Sequence, residues 1–290
     1  MVTQKKILIT GAGGQLGKEF GVLQPAYSQY KFLLAQREDL SIDSTREVEN
    51  YFAAHKIDYC INCASYTDVN KAETEKENAF LVNAEAAGIL ATACKVHHAQ
   101  FIHISTDYVF DGTAKHPYKE TDKVNPLSVY GRSKLKGEEL VLQHYPSAII
   151  IRTSWVFSSF GNNFVKTMLR LMREKESINV VNDQYGCPTY AADLAGAIMQ
   201  MIEKYPAFNF PFSIFNYCNE GVTTWYDFAA AIKELTQSNC VIHPISTSQY
   251  PTPTKRPQFS VLDTSLFKNT FGIMIPGWKE SLQRCLLQLK

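Results

Sequence analysis

Apolar residues arrive in this chain as short unbroken runs, with polar, helix-spaced stretches between them. Lys6 to Thr10, Lys31 to Ala35, Tyr59 to Asn62, Phe101 to Ser105 and Ala148 to Arg152 each read as a strand. A run that is apolar at successive positions has no solvent face, so these strands predict a sheet covered on both sides. Helical spacing fills the gaps over 15–23, 44–55, 78–96 and 129–143, the second opened by Ser44, a residue suited to an N-cap. Strand and helix in alternation predict an α/β fold with a doubly wound parallel sheet, the Rossmann arrangement.

After Arg152 the pattern loosens. Helices are expected over 163–173, 191–203, 224–235, 265–271 and 279–289, and Phe215 to Cys218 is a candidate strand returning to the first sheet. Tyr250 to Pro257 carries too many prolines for a central strand or a helix. The expected division is a dinucleotide-binding domain over 1–152 and a smaller, interleaved C-terminal substrate-binding lobe over 153–290. About 190–220 of that lobe returns to the Rossmann sheet.

Composition narrows the partners. With 290 residues, 20% of them charged, and a formal net charge of +1, no charge excess points to nucleic acid or a membrane surface. No apolar run is read as approaching a membrane span, and the first run is too short for a signal peptide, so a cytoplasmic protein is expected. The 7 cysteines are expected to be reduced thiols. Cys60 and Cys63 match C-x-x-C, but residues three apart on a strand face opposite ways, which disfavours a redox pair. His97-His98 lacks companions at metal-ligand spacing, and no metal is expected.

Three segments carry chemistry. Gly11-Ala-Gly13-Gly14-Gln15-Leu16-Gly17 follows a strand and opens a helix, the setting in which glycines bind a dinucleotide. Gly11 permits the tight turn, Gly14 lets backbone amides approach a pyrophosphate, and Gly17 permits close packing of helix on strand. The next strand ends at Arg37, about twenty residues on, where a cation binds a 2'-phosphate; this favours NADPH, with NADH as the alternative. Asn62-Cys63-Ala64-Ser65 ends a strand on the edge where cofactors lie. Thr106 and Asp107 end the following strand, where a hydroxyl can reach a substrate oxygen. Tyr130 and Lys134 share one face of a helix; an ammonium beside a phenol lowers its pKa and equips it to exchange a proton with substrate.

These motifs, with Asn62 to Glu73, Ser105 to Gly112, Pro126 to Lys134, Arg152 to Phe157, Asn182 to Thr189 and Arg256-Pro257, run nearly the length of the chain. Together they resemble the extended short-chain dehydrogenase/reductases, and within them the dTDP-4-dehydrorhamnose reductase family. The resemblance implies NADPH-dependent reduction of a nucleotide-sugar C4 ketone. Tyr130 would be the general acid, Lys134 would hold the nicotinamide ribose and lower the tyrosine pKa, and Thr106 would polarise the ketone. Asn83 would support a proton relay, while Asp107, Trp155 and Arg256 would contact the sugar nucleotide. Ile42 falls in a segment placed near the adenine, where Ser41 replaces the usual acid. Some relatives dimerise through a magnesium ion held by glutamates; Glu19 matches one position, but Ala192-Asp193 occupies the other, so a monomer or metal-free homodimer is expected. The same residues leave open another 4-keto-6-deoxysugar nucleotide as substrate, or a non-catalytic NADP-binding regulatory subunit.

Overall fold

The computed structural model describes residues 4–211 and 213–289. Five strands from the first half, β1 (Lys5–Thr10), β2 (Tyr30–Ala35), β3 (Tyr59–Asn62), β4 (Gln100–Thr106) and β5 (Ile149–Thr153), join Ile214–Asn216 in one sheet. The spatial order is Ile214–Asn216, β5, β4, β3, β1, β2, and every neighbour pair is parallel. The order turns back between β1 and β3. Ligands of open α/β sheets bind at such a point, outside the carboxyl ends of the strands.

The strands read as continuous apolar runs because alternate residues feed two cores. Ile7, Ile9, Ile61, Ile102 and Ile151 face a core with α1 (Gln15–Leu23). Leu8, Cys60, Phe101 and Ile150 face another with α2 (Thr45–His55). Cys60 and Cys63 accordingly pack against different cores, and all seven cysteines are free.

The helix expected over 78–96 is interrupted. It comprises α3 (Lys76–Phe80), a π turn over Leu81–Glu85, and α4 (Ala86–Val96). The whole Lys76–Val96 stretch has 21 residues and a window of mean hydropathy 1.4, so by length and composition it could cross a bilayer. That corrects the expectation that no stretch approaches a span. Here Ala87, Leu90, Ala91 and Cys94 pack instead into the core beneath the sheet, beside Val141 of α5 (Val129–His144).

Beyond β5, Ile214–Asn216 apart, the strands come in pairs. Val156–Phe157 pairs with Thr189–Tyr190, and Tyr185–Gly186 pairs antiparallel with Thr223–Thr224. Ser177–Val181 runs parallel to Val241–Ile245, a pair absent from the sequence reading. Against them pack α6 (Phe164–Glu174) and α8 (Trp225–Thr236), in a third core built on Phe157, Met168, Phe228 and Leu282. Between α6 and α8 in the chain, α7 (Ala191–Lys204) crosses back to lie beside α1 in the first core.

Candidate active site

The glycine turn is shaped by what cannot fit there. Gly11 has φ +66°, and a Cβ on it would stand 2.6 Å from the Ala64 backbone, so β1 leaves the sheet pressed against the end of β3. A Cβ on Gly17 would lie 2.5 Å from the Gly11 carbonyl oxygen, because α1 sits directly on the turn. At Gly14, the N-cap of α1, a Cβ would meet only the Gly11 oxygen at 3.3 Å, and no side chain caps the helix. The first amides of α1 are therefore left for a ligand, and an uncapped N-terminus suits an anion.

A cleft of about 620 Å³ opens in front of this turn. Of the residues expected at the cofactor, Gly11, Gly14, Gln15, Leu16, Arg37, Ile42, Cys63, Ala64, Ser65, Tyr130 and Lys134 line it, and Gly13 and Gly17 do not. Sequence reasoning missed Gln36, Asp43, Ser105 and the Gly161–Asn162 loop, which also line it. That loop is tied across the cleft by Asn163, whose Nδ2 donates to Gln15 Oε1 at 2.9 Å. Arg37 is largely exposed, with its guanidinium 3.9 Å from Asp43. An uncapped helix start, a side-chain-free turn and an available cation at the end of β2 fit a phosphorylated dinucleotide.

Helix α5 presents the Tyr130–Lys134 face to the cleft. Its start is fixed by Ser128, which accepts from the Gly131 amide at 3.0 Å, and by Glu73, which accepts from the Val129 amide at 2.9 Å. A Cβ on Gly131 would stand 2.3 Å from the Tyr108 carbonyl oxygen, so only glycine lets α5 approach the exit of β4 so closely. The Tyr130 ring meets Tyr108 edge-on, 5.5 Å between centroids. Lys134 is buried and donates to the Ile104 carbonyl at 2.6 Å. Burial pulls its pKa down to about 8, against the pull of the Glu138 carboxylate.

In this structure the Tyr130 phenol sits above, not below, its usual value. Burial raises the phenol above its usual value; the hydroxyls of Thr106 and Ser65 offset this in part, and Asp107 and Tyr108 add to it. Thr106, also buried, donates to Asp107 Oδ1 at 3.1 Å and accepts from the Tyr108 amide at 3.2 Å. Burial raises the Asp107 carboxyl to about 6, opposed by the Thr106 hydroxyl among its hydrogen bonds, and its Oδ2 has no partner. Asn83, in the π turn, accepts from Ser65 Oγ and the Tyr66 amide, each at 2.8 Å, and donates to Ser133 Oγ at 2.9 Å. It ties the end of β3 to α5.

A second cavity of about 630 Å³ is lined by Phe164, Gln184, Trp225, Tyr250 and Arg256 among others. Trp155, at φ +47°, is stacked on Trp225 with centroids 3.5 Å apart and planes within 8°. The ring lies where a Cβ on Gly186 would be, 2.5 Å away. The proline-rich loop is docked: Thr254 donates to the Val69 carbonyl at 3.1 Å, and Pro257 lies 2.7 Å from where a Cβ on Gly112 would be. Arg256 holds a buried Nε without a partner. Burial lifts the Tyr108 phenol to about 12, and Arg256 opposes that rise. Tyr108 thus touches Tyr130 on one hand and feels the charge of Arg256 on the other; the sequence reading singled out Thr106 and Asp107 in its segment and passed over it.

Among the described residues no three His, Cys, Asp or Glu side chains group to hold a metal. Asp193 is occupied by Arg284 at 2.7 Å, and Glu19 by Ser158 at 2.6 Å.

Comparison with known proteins follows the same lines. The family model described as "RmlD substrate binding domain" matches residues 5–290. A dTDP-4-dehydrorhamnose reductase of Aggregatibacter actinomycetemcomitans is 40% identical, covering 96% of this chain and 97% of its own. Among solved structures, a dTDP-4-dehydrorhamnose reductase of Clostridium acetobutylicum is 39% identical with a TM-score of 0.93, covering 98% of this chain and 99% of that one. One from Bacillus anthracis, solved in complex with NADP, is 34% identical with a TM-score of 0.93, covering 99% and 100%.

Proposed function

This chain belongs to the dTDP-4-dehydrorhamnose reductase family, and from that premise we propose that it reduces the C4 ketone of dTDP-4-dehydro-6-deoxy-L-mannose, giving dTDP-L-rhamnose, with NADPH. The observation that carries the reading is a single junction. Tyr130 lines the cofactor cleft and packs on Tyr108, whose phenol feels Arg256 of the second cavity.

NADPH, when bound, supplies the hydride that adds to C4. Tyr130 gives its proton to the C4 oxygen, so that hydride and proton together convert the carbonyl to an alcohol. The phenol holds its proton at neutral pH, as donation to that oxygen requires. Lys134 holds the nicotinamide ribose at the edge of β4, and Thr106 turns its hydroxyl from Asp107 to the substrate oxygen. The glycine turn and Gln15 take the pyrophosphate, and Arg37 takes the 2'-phosphate. Ile42 lies by the adenine, and Cys63, Ala64 and Ser65 line the path between. Trp155 and Asp107 contact the sugar nucleotide and Arg256 its diphosphate. In this reading residues 1–152 hold the cofactor and 153–290 mainly the substrate, in a cytoplasmic monomer or homodimer.

The test supplies the 4-keto-6-deoxy-L-mannose nucleotide, made in situ, with NADPH and separately with NADH, and follows loss of reduced-nicotinamide absorbance. Substrate-dependent loss, faster with NADPH, is the expected result. Turnover only with a different 4-keto-6-deoxysugar nucleotide would reassign the substrate. Tight NADPH binding without turnover on any of them would overturn the reductase reading in favour of a regulatory subunit.

A further inference from the structure

Beneath Lys134 lies an ion pair that none of these steps uses. Glu138 follows Lys134 by one turn of α5, and each is 2% exposed. Arg152 of β5, 3% exposed, donates Nε to Glu138 Oε1 at 2.9 Å and Nη2 to Oε2 at 2.6 Å. Ser105 Oγ donates to the same Oε1 at 2.5 Å. Ser105 and Arg152 are cross-strand partners, Ser105 lines the cofactor cleft, and the carbonyl that receives Lys134 belongs to the residue before it. Two bonds to consecutive residues of β4 thus seat this stretch of α5, one from Lys134 and one to Glu138.

The surrounding charges give Glu138 its importance. Arg152 cannot lose its proton; it also meets the Glu120 carbonyl and the Phe110 ring, and its charge opposes the rise that burial gives the Glu120 carboxyl. His103, on β4, is kept neutral by burial and by Lys134, and burial raises the Cys63 thiol at the end of β3 far above neutral pH. Tyr130, one turn back, holds its proton. Of the groups that act on Lys134, Glu138, gripped by a bidentate guanidinium, is the carboxylate. A buried ammonium without a counter-charge gives up its proton.

We propose that Glu138, held by Arg152 and Ser105, is a positioning residue for Lys134: it supplies the charge that keeps the lysine an ammonium at the place where the cofactor ribose is bound. The inference rests on the assignment of Lys134 to that ribose. A pair with only a structural role behaves differently. Replacing both members by neutral residues of similar volume is often neutral or stabilising, and it would leave the ionisation of Lys134 where it is.

The experiment is an equilibrium titration of the whole protein with NADPH across pH, which requires no turnover. The enzymes are the wild type, the double variant Glu138→Gln/Arg152→Met, which keeps an acceptor for Ser105, and Glu138→Leu/Arg152→Met, a second, apolar replacement should the first fail to fold. In the wild type, affinity falls as pH rises through the ionisation of Lys134, near 8. In either variant the fall comes about one pH unit lower, leaving affinity roughly tenfold weaker at about pH 8.5 and within about twofold of wild type at about pH 6. A variant curve that overlays the wild type, or that is lowered equally at every pH, overturns the proposal. Lys134→Met, titrated alongside, separates the premise: wild-type affinity in that variant at about pH 6 removes the ribose assignment and this inference with it. An enzyme inactive on the sugar nucleotide still yields the titration.

Discussion

The cleft before the glycine turn, proposed to hold the cofactor, and the cavity beside Trp225 and Arg256, proposed to hold the sugar nucleotide, with Tyr130 as their proposed junction, are built in opposite ways. On the cofactor side the turn at the centre of the cleft is bare backbone. Gly11, Gly14 and the ends of β1 and β3 form it, and strands buried on both faces hold it. On the other side the surface is made of large side chains from segments far apart in the chain: Trp155 on Trp225, with Arg256 and Tyr250 from the proline-rich loop. The glycine turn is assembled from neighbours in sequence, whereas a side-chain site is free to draw on any segment that the fold brings near. The first therefore leaves a compact motif and the second does not.

The sharpest way to break this comparison is at the junction itself. Tyr130→Phe keeps the ring against Tyr108 and removes the proton. Turnover is expected to fall by about 10²- to 10⁴-fold, the range for loss of a positioned acid. NADPH affinity should stay within about twofold of wild type, since the backbone surface is untouched. Kinetics and a binding titration on the same preparation check both. Turnover within about tenfold of wild type would mean that another group supplies the proton, with Tyr108 the next phenol to test.

What was legible follows from the same contrast. The parallel sheet could be read because its strands, Ile7-Leu8-Ile9 the clearest of them, serve two cores and so are apolar at most positions. The Ser177–Val181 and Val241–Ile245 pair could not. Its members are 64 residues apart in register, the second carries Pro244, and most of its residues are partly or fully exposed. The π turn at Leu81–Glu85 has no local signature, since it is Asn83 bonding across to Ser65 and Ser133 that sets the helix there. Trp225 reads as one more apolar residue of an amphipathic helix until its partner at Trp155 is seen.

The glycines turn that distinction into numbers. Gly17→Ala would set a Cβ 2.5 Å from the Gly11 carbonyl and 2.6 Å from Ala12 Cα, both backbone atoms that cannot yield without moving the turn. Overpacking of that kind costs about 1–3 kcal/mol and should weaken NADPH binding as well. Gly196, in α7, has nothing within 4 Å of its Cβ position. Gly196→Ala should be neutral or stabilising by up to about 1 kcal/mol, the helix-propensity gain, with binding unchanged. Denaturant melts of the two variants, with NADPH titrations, test the pair. Equal losses in both would mean that tightness at the turn is not what distinguishes the cofactor side.

The smallest effect lies on the seam between the two sides. Glu19 of α1 is buried, and the hydroxyl of Ser158, 139 positions away, donates to it at 2.6 Å. Burial raises the carboxyl pKa, the Ser158 bond lowers it, and the charge of Asp193 raises it again. For an acid whose pKa is higher folded than unfolded, the stabilising contribution is fully present below the unfolded value and is lost as pH rises through the folded one. At neutral pH and above, the fold therefore bears the cost of an anion it would rather hold as an acid. Glu19→Gln keeps the acceptor for Ser158 and removes that cost. Its melting temperature should exceed the wild type's at about pH 8 by a margin that shrinks as pH falls towards the ordinary carboxylate value of 4.5, where the wild-type side chain is itself neutral. Thermal melts of both proteins across that range decide it. A variant that is less stable than wild type at every pH would mean that the seam is joined by a charged Glu19, and that the two sides are held together by an ion rather than by a neutral hydrogen bond.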